Sequence, residues 1–136
     1  MSQMAEKTIL PEKEAYEIAD KFALISAQIL EFRIEKREPP LSDEDAAELE
    51  KYEDSLDALV VLFRNYGIQL IGKKANEATV ELRNAVDAGK KTLKQVNTIK
   101  QAINIAGALV DLAVAVLSRE PKGILNAAQK VMAAIQ

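Results

Sequence analysis

The order of apolar and polar residues predicts helix along almost the whole chain. Between Pro11 and Arg37, Ala15, Ile18, Phe22, Ile25, Ile29 and Phe32 step alternately by three and four, which draws one apolar stripe down a helix. Proline suits a first helical turn, where its missing N–H would have had no partner. Glu12, Glu14 and Glu17 near the start, and Lys36 and Arg37 near the end, complement the helix dipole. Pro39-Pro40 stops the helix, because a residue before proline avoids the α region.

A second helix is expected over 43–71. Ser42 is a good N-cap, and Asp43, Glu44 and Asp45 fill the positive first turn. Leu49, Tyr52, Leu56, Leu59, Phe63, Tyr66 and Leu70 repeat the three-four spacing, with Val60, Leu62 and Ile71 widening the stripe. Each of these helices is roughly 40 Å long at 1.5 Å per residue. Joined by a short Pro-Pro link, they should form an antiparallel hairpin with their stripes facing.

Beyond Gly72-Lys73-Lys74 the pattern predicts helices over 75–88, 93–118 and 123–135. Ala78, Leu82, Ala85 and Val86 share one face of the first of these. At Gly89 the chain either breaks or runs on as a helix through a close crossing. A break is favoured: Thr92 and Gln95 have the spacing of a capping box, and one helix from Ala75 to Ser118 would span roughly 65 Å. In the following helix Leu93, Val96, Ile99, Ile103, Ala106, Val110 and Leu117 fall on or near one face. Leu125, Ala128, Val131, Met132 and Ile135 supply the apolar side of the last. Residues 1–10 read as a flexible N-terminus. The fold class that follows is all-α: a single domain over 1–136, an elongated antiparallel bundle of four to five helices with coiled-coil-like seams.

Composition agrees and then excludes chemistry. The hydrophobic share is 49%, with only five Gly and four Pro, so neither disorder nor a multi-span membrane protein is indicated. Histidine and cysteine are both absent. That removes the commonest general acid–base group, thiolate nucleophiles, Ser-His-Asp arrangements and His- or Cys-ligated metals. No EF-hand-spaced loop offers carboxylates to calcium. Gly89-Lys90-Lys91-Thr92 lacks the upstream strand and second glycine of a phosphate loop. No catalytic, cofactor or metal residues are therefore expected, and the protein reads as non-enzymatic.

Charge adds two segments. Asp43, Glu44, Asp45, Glu48, Glu50, Glu53, Asp54 and Asp57 crowd the first half of helix two, opposed by Lys51, and read as a solvated face. Arg64, Lys73, Lys74, Arg83, Lys90, Lys91, Lys94 and Lys100 form a basic counterpart, expected to lie near that acidic start. No aromatic follows Tyr66, and the net charge is −3, so nucleic-acid binding is not favoured. Met1 to Lys7 lack the basic and apolar regions of a secretory signal, and a cytoplasmic location is expected. A chain secreted without a cleaved signal would look the same.

One segment invites a functional reading. From Gln101 to Ser118, Asp111 is the lone charge, while Ile103, Ile105, Leu109, Val110, Leu112, Val114, Val116 and Leu117 surround the helix. A helix apolar all round must be buried all round, by protein or by lipid. The first expectation is a central helix wrapped by its neighbours or by a second subunit, in a protein that acts through protein–protein contact or self-association. The alternative is a membrane-active bundle storing an apolar hairpin at 102–135. That scheme is similar in architecture to α-helical pore-forming toxins, without a shared motif. In the bundle, Asp111 should find a donor or lie at the core rim, because an unpaired buried carboxylate is costly.

Overall fold

A computed structural model describes residues 7–72 and 74–136. It contains β1 (Lys7–Ile9), α1 (Glu12–Ile34), α2 (Asp43–Tyr66), β2 (Gln69–Ile71), α3 (Ala75–Gln95), α4 (Ile99–Ser118) and α5 (Pro121–Ile135). The five helices pack as an all-α bundle. α1 lies against α2 and α3, α2 against α4, α4 against α5, and α5 against α3; α4 also reaches α3 and α1.

α1 and α2 form the expected antiparallel hairpin. Every stripe residue of α1 is buried, and the Phe22 and Phe63 rings meet at 6.2 Å between centroids. The register is fixed by polar contacts. Arg64 Nη2 pairs with Asp20 Oδ1 at 2.5 Å, Ser26 Oγ donates to Asp57 Oδ1 at 2.7 Å, and Arg33 Nε donates to Glu53 Oε2 at 2.7 Å. α1 ends at Ile34 rather than Arg37. The Arg37 guanidinium folds back, donating to the Phe32 carbonyl at 2.5 Å and lying 3.6 Å from the centre of its ring, so it closes the last turn.

The N-terminal segment departs from the expectation of flexibility, of which residues 1–6 lie outside the described residues. Lys7–Ile9 pairs antiparallel with Gln69–Ile71 in a two-stranded sheet, with Thr8 opposite Leu70. The Leu10 N–H then donates to the Ile68 carbonyl at 3.1 Å, and both side chains are buried. Three residues are too few to show a period of two, so the strand has no signature in the pattern. α2 correspondingly stops at Tyr66, not Ile71. Gly67, with φ +75°, turns the chain, and its N–H caps the Phe63 carbonyl at 2.9 Å. Leu70 is buried as its spacing suggested, but on a strand; Tyr66, assigned to the seam, is 78% exposed.

Gly89 brings a further correction: α3 runs unbroken from Ala75 to Gln95, and the chain breaks at Val96–Thr98. A Cβ at Gly89 would lie 2.6 Å from Leu109 Cδ2, so the glycine is where α4 crosses close to α3. The sequence holds two Thr-x-x-Gln patterns six residues apart, and the second is the cap. Thr98 Oγ1 accepts from the Gln101 N–H at 3.2 Å, while Thr92 sits inside α3. α5 begins at Pro121, which occupies the first turn, rather than at Gly123.

Candidate interaction face

α4 is fixed at both ends: Thr98 caps its start, and Arg119, in the left-handed region with φ +69°, closes it by donating its N–H to Val116 O at 3.1 Å. Between these caps one side of the helix is core, namely Ala102, Ile105, Ala106, Leu109, Leu112, Ala113 and Val116. The nine singled-out residues therefore divide. Ile105, Leu109, Leu112 and Val116 are buried, Ile103 and Val110 are half-buried, and Asp111, Val114 and Leu117 are exposed. This corrects the expectation that the helix is buried all round; of the residues expected on or near one face, Ala106 is buried, Ile103 and Val110 are half-buried and Leu117 is exposed. With apolar residues on every side, spacing cannot choose which side turns inward.

Asp111 is not a core carboxylate in search of a donor. It lies on the exposed side of α4, where water solvates it. Its nearest electrostatic consequence is on Tyr52, half-buried on α2. The phenol is pushed up to about 12, by burial first, then by donating to Glu48 Oε1 at 2.7 Å, then by the charges of Glu48 and Asp111. The Tyr52 hydroxyl crosses α4 over Gly107, where a Cβ would come within 3.0 Å.

What remains outward on α4 is an apolar ridge. Ile103, Val110, Val114 and Leu117 follow one another at seven, four and three residues, and Val114 and Leu117 are 51% and 46% exposed. α4 is also the one helix among the described residues long and apolar enough to cross a membrane, with 44% of that stretch buried. Core helices of helical bundles share that length and composition.

The charged segments are arranged differently from the expectation. Glu53, placed on a solvated face, is 7% exposed and held by Arg33, whose own pKa is raised first by that hydrogen bond. In the basic segment, Arg64 and Arg83 pair with Asp20 and Glu14 of α1, not with the acidic start of α2. Among the described residues no group of three potential ligands is close enough to hold a metal ion. A groove of about 410 Å³ between α1 and α3 is lined in part by Gln28, Phe32, Lys90 and Leu93. It gathers no nucleophile beside a base.

No known protein family, no curated protein and no solved structure matches this chain.

Proposed function

We propose that this protein is non-enzymatic and works through protein–protein contact, self-associating along the outer face of α4. The observation that carries the reading is the ridge Ile103, Val110, Val114 and Leu117, half-buried at its first two positions and exposed at its last two, on a helix whose opposite side is core. Covering such a ridge removes apolar surface from water at about 25 cal/mol per Å². In an antiparallel pairing of two copies centred on Val110, Ile103 of one comes level with Leu117 of the other.

The test is molar mass by light scattering or sedimentation over a range of concentrations. The expected result is a concentration-dependent dimer, lost in Val114→Lys/Leu117→Lys without a lower melting temperature, since both positions are exposed. A chain that stays monomeric to about 1 mM, which bounds the affinity to about −4 kcal/mol or weaker, would sink the proposal.

The second reading is a membrane-active bundle that releases the apolar hairpin 102–135. One observation favours it: α4 has the length and composition of a membrane span. Against it, Asp111 would cost about 2.5–3.5 kcal/mol at a bilayer centre, and Ile105, Leu109, Leu112 and Val116 would have to leave the core. Release of dye from anionic vesicles by the intact protein would favour this reading over the first.

A further inference from the structure

The groove between α1 and α3 gathers polar groups that the fold itself does not pair. Two ion pairs join these helices, Glu14 with Arg83 and Lys21 Nζ with Asp87 Oδ1 at 2.7 Å. Beyond them, toward the C-terminal ends of both helices, lies the groove of about 410 Å³. Buried Phe32 and Leu93 form its apolar floor. Gln28 and Glu31 line it from α1. Lys90 and Lys94, four residues apart and so on one face of α3, line it from the other side. The Gln28 Oε1 atom is buried, and among the described residues no group donates to it. Buried side-chain acceptors are ordinarily bonded, so this one marks a place where a donor is wanted. Half-buried Lys90, exposed Lys94 and exposed Glu31 hold no salt bridge among the described residues. Glu35, at the same end of α1, is by contrast held by Arg37 Nη2 at 3.2 Å.

We propose that this groove binds a small zwitterion with an apolar side chain, of the class of the free apolar α-amino acids. The ligand's carboxylate lies toward Lys90 and Lys94, its ammonium toward Glu31 and the Gln28 oxygen, and its side chain over Phe32 and Leu93. The two signs of charge do the selecting. A purely anionic ligand would meet Glu31, and a purely cationic one would meet the two lysines. Ligand pockets run from about 300 to 1,000 Å³, so a volume near the lower end suits a molecule of this size. The last torsion of a glutamine is broad. Its oxygen can therefore turn toward an ammonium donor without giving up a protein hydrogen bond at that atom. No lining residue belongs to α4, so this proposal and the ridge stand or fall separately.

The probe is L-phenylalanine, titrated into the full chain and followed by calorimetry and by amide shifts of the labelled protein. Saturable binding is expected at about 1 mM or tighter, with the shifts concentrated in residues 24–35 and 90–96. N-acetyl-L-phenylalanine lacks the ammonium and L-phenylalanine methyl ester lacks the carboxylate. Each should bind at least about tenfold more weakly. Lys90→Met and, independently, Glu31→Gln should each weaken L-phenylalanine by about tenfold, and neither side chain is part of the core. Gln28→Leu should also weaken it, while the melting temperature holds or rises, because the change removes an acceptor that no protein group bonds. Glu77→Gln, outside the groove on α3, should leave binding unchanged. Equal binding of the three compounds would show apolar contact alone and overturn the proposal. So would unchanged affinity in both Lys90→Met and Glu31→Gln, or no saturable shift up to about 10 mM ligand.

Discussion

Gly89→Ala isolates the decision on which the middle of the fold turns. On helix propensity alone, alanine at this position should stabilise α3 by about 1 kcal/mol. The tertiary structure reverses the sign. The added methyl would lie 2.6 Å from Leu109 Cδ2, 3.0 Å from Cδ1 and 3.1 Å from Cγ, and Leu109 is fully buried. Carbon pairs prefer roughly 3.5–4.0 Å. Overpacking of this kind costs about 1–3 kcal/mol, so the net effect should run from near zero to about 2 kcal/mol of destabilisation. Leu109→Ala alone should cost about 2–5 kcal/mol by leaving a cavity. Combined, the two changes relieve each other, because the new methyl enters space the leucine has vacated. A coupling of about 1–3 kcal/mol in the favourable direction is expected. Urea unfolding followed by circular dichroism on the wild type, both singles and the double supplies all four values. If Gly89→Ala stabilises by the full propensity gain and the two changes simply add, α4 does not cross α3 at Gly89 and the packing described is wrong.

Phe22→Ala and Phe63→Ala should each cost about 3–5 kcal/mol by the same denaturation measurement, since the two rings join the hairpin at its centre. Thr98→Ala should lose about 1 kcal/mol with its cap, whereas Thr92→Ala, inside α3, should be neutral or slightly stabilising; equal effects would refute the placement of the break. Tyr52 gives a pH signature. Its folded pKa of about 12 lies above the unfolded value, so its contribution is complete below about pH 10 and is lost as pH rises through 12. Stability measured across that range should fall more steeply in the wild type than in Tyr52→Phe, and the tyrosinate absorbance step near 12 should vanish in the variant.

Much of the architecture was legible because it rests on spacing. The stripes of α1 and of the first three-quarters of α2 are each apolar on one side, so their periodicity names both the helix and its buried face, and Ser42 and Pro39-Pro40 mark the boundary. Where the pattern carried two equivalent answers, it could not rank them. Thr92-x-x-Gln95 and Thr98-x-x-Gln101 are equivalent as caps; in the fold α3 runs on through the first, with Gly89 at the close crossing of α4, and the second starts α4. The strand at Lys7–Ile9 depends wholly on a partner strand sixty or more positions away.

The candidate faces divide the same way. That α4 is apolar follows from its residues, but a helix apolar on every side has no intrinsic inside. The neighbouring helices chose Ile105, Leu109, Leu112 and Val116 for the core and left Asp111, Val114 and Leu117 in water. The pairing of α1 with α2 is likewise a matter of register, held by Asp20–Arg64 and Ser26–Asp57, which join residues 44 and 31 positions apart. Local spacing determines which residues can share a helical face; the partner each face meets is decided by packing, because burial is a property of pairs of elements and not of one.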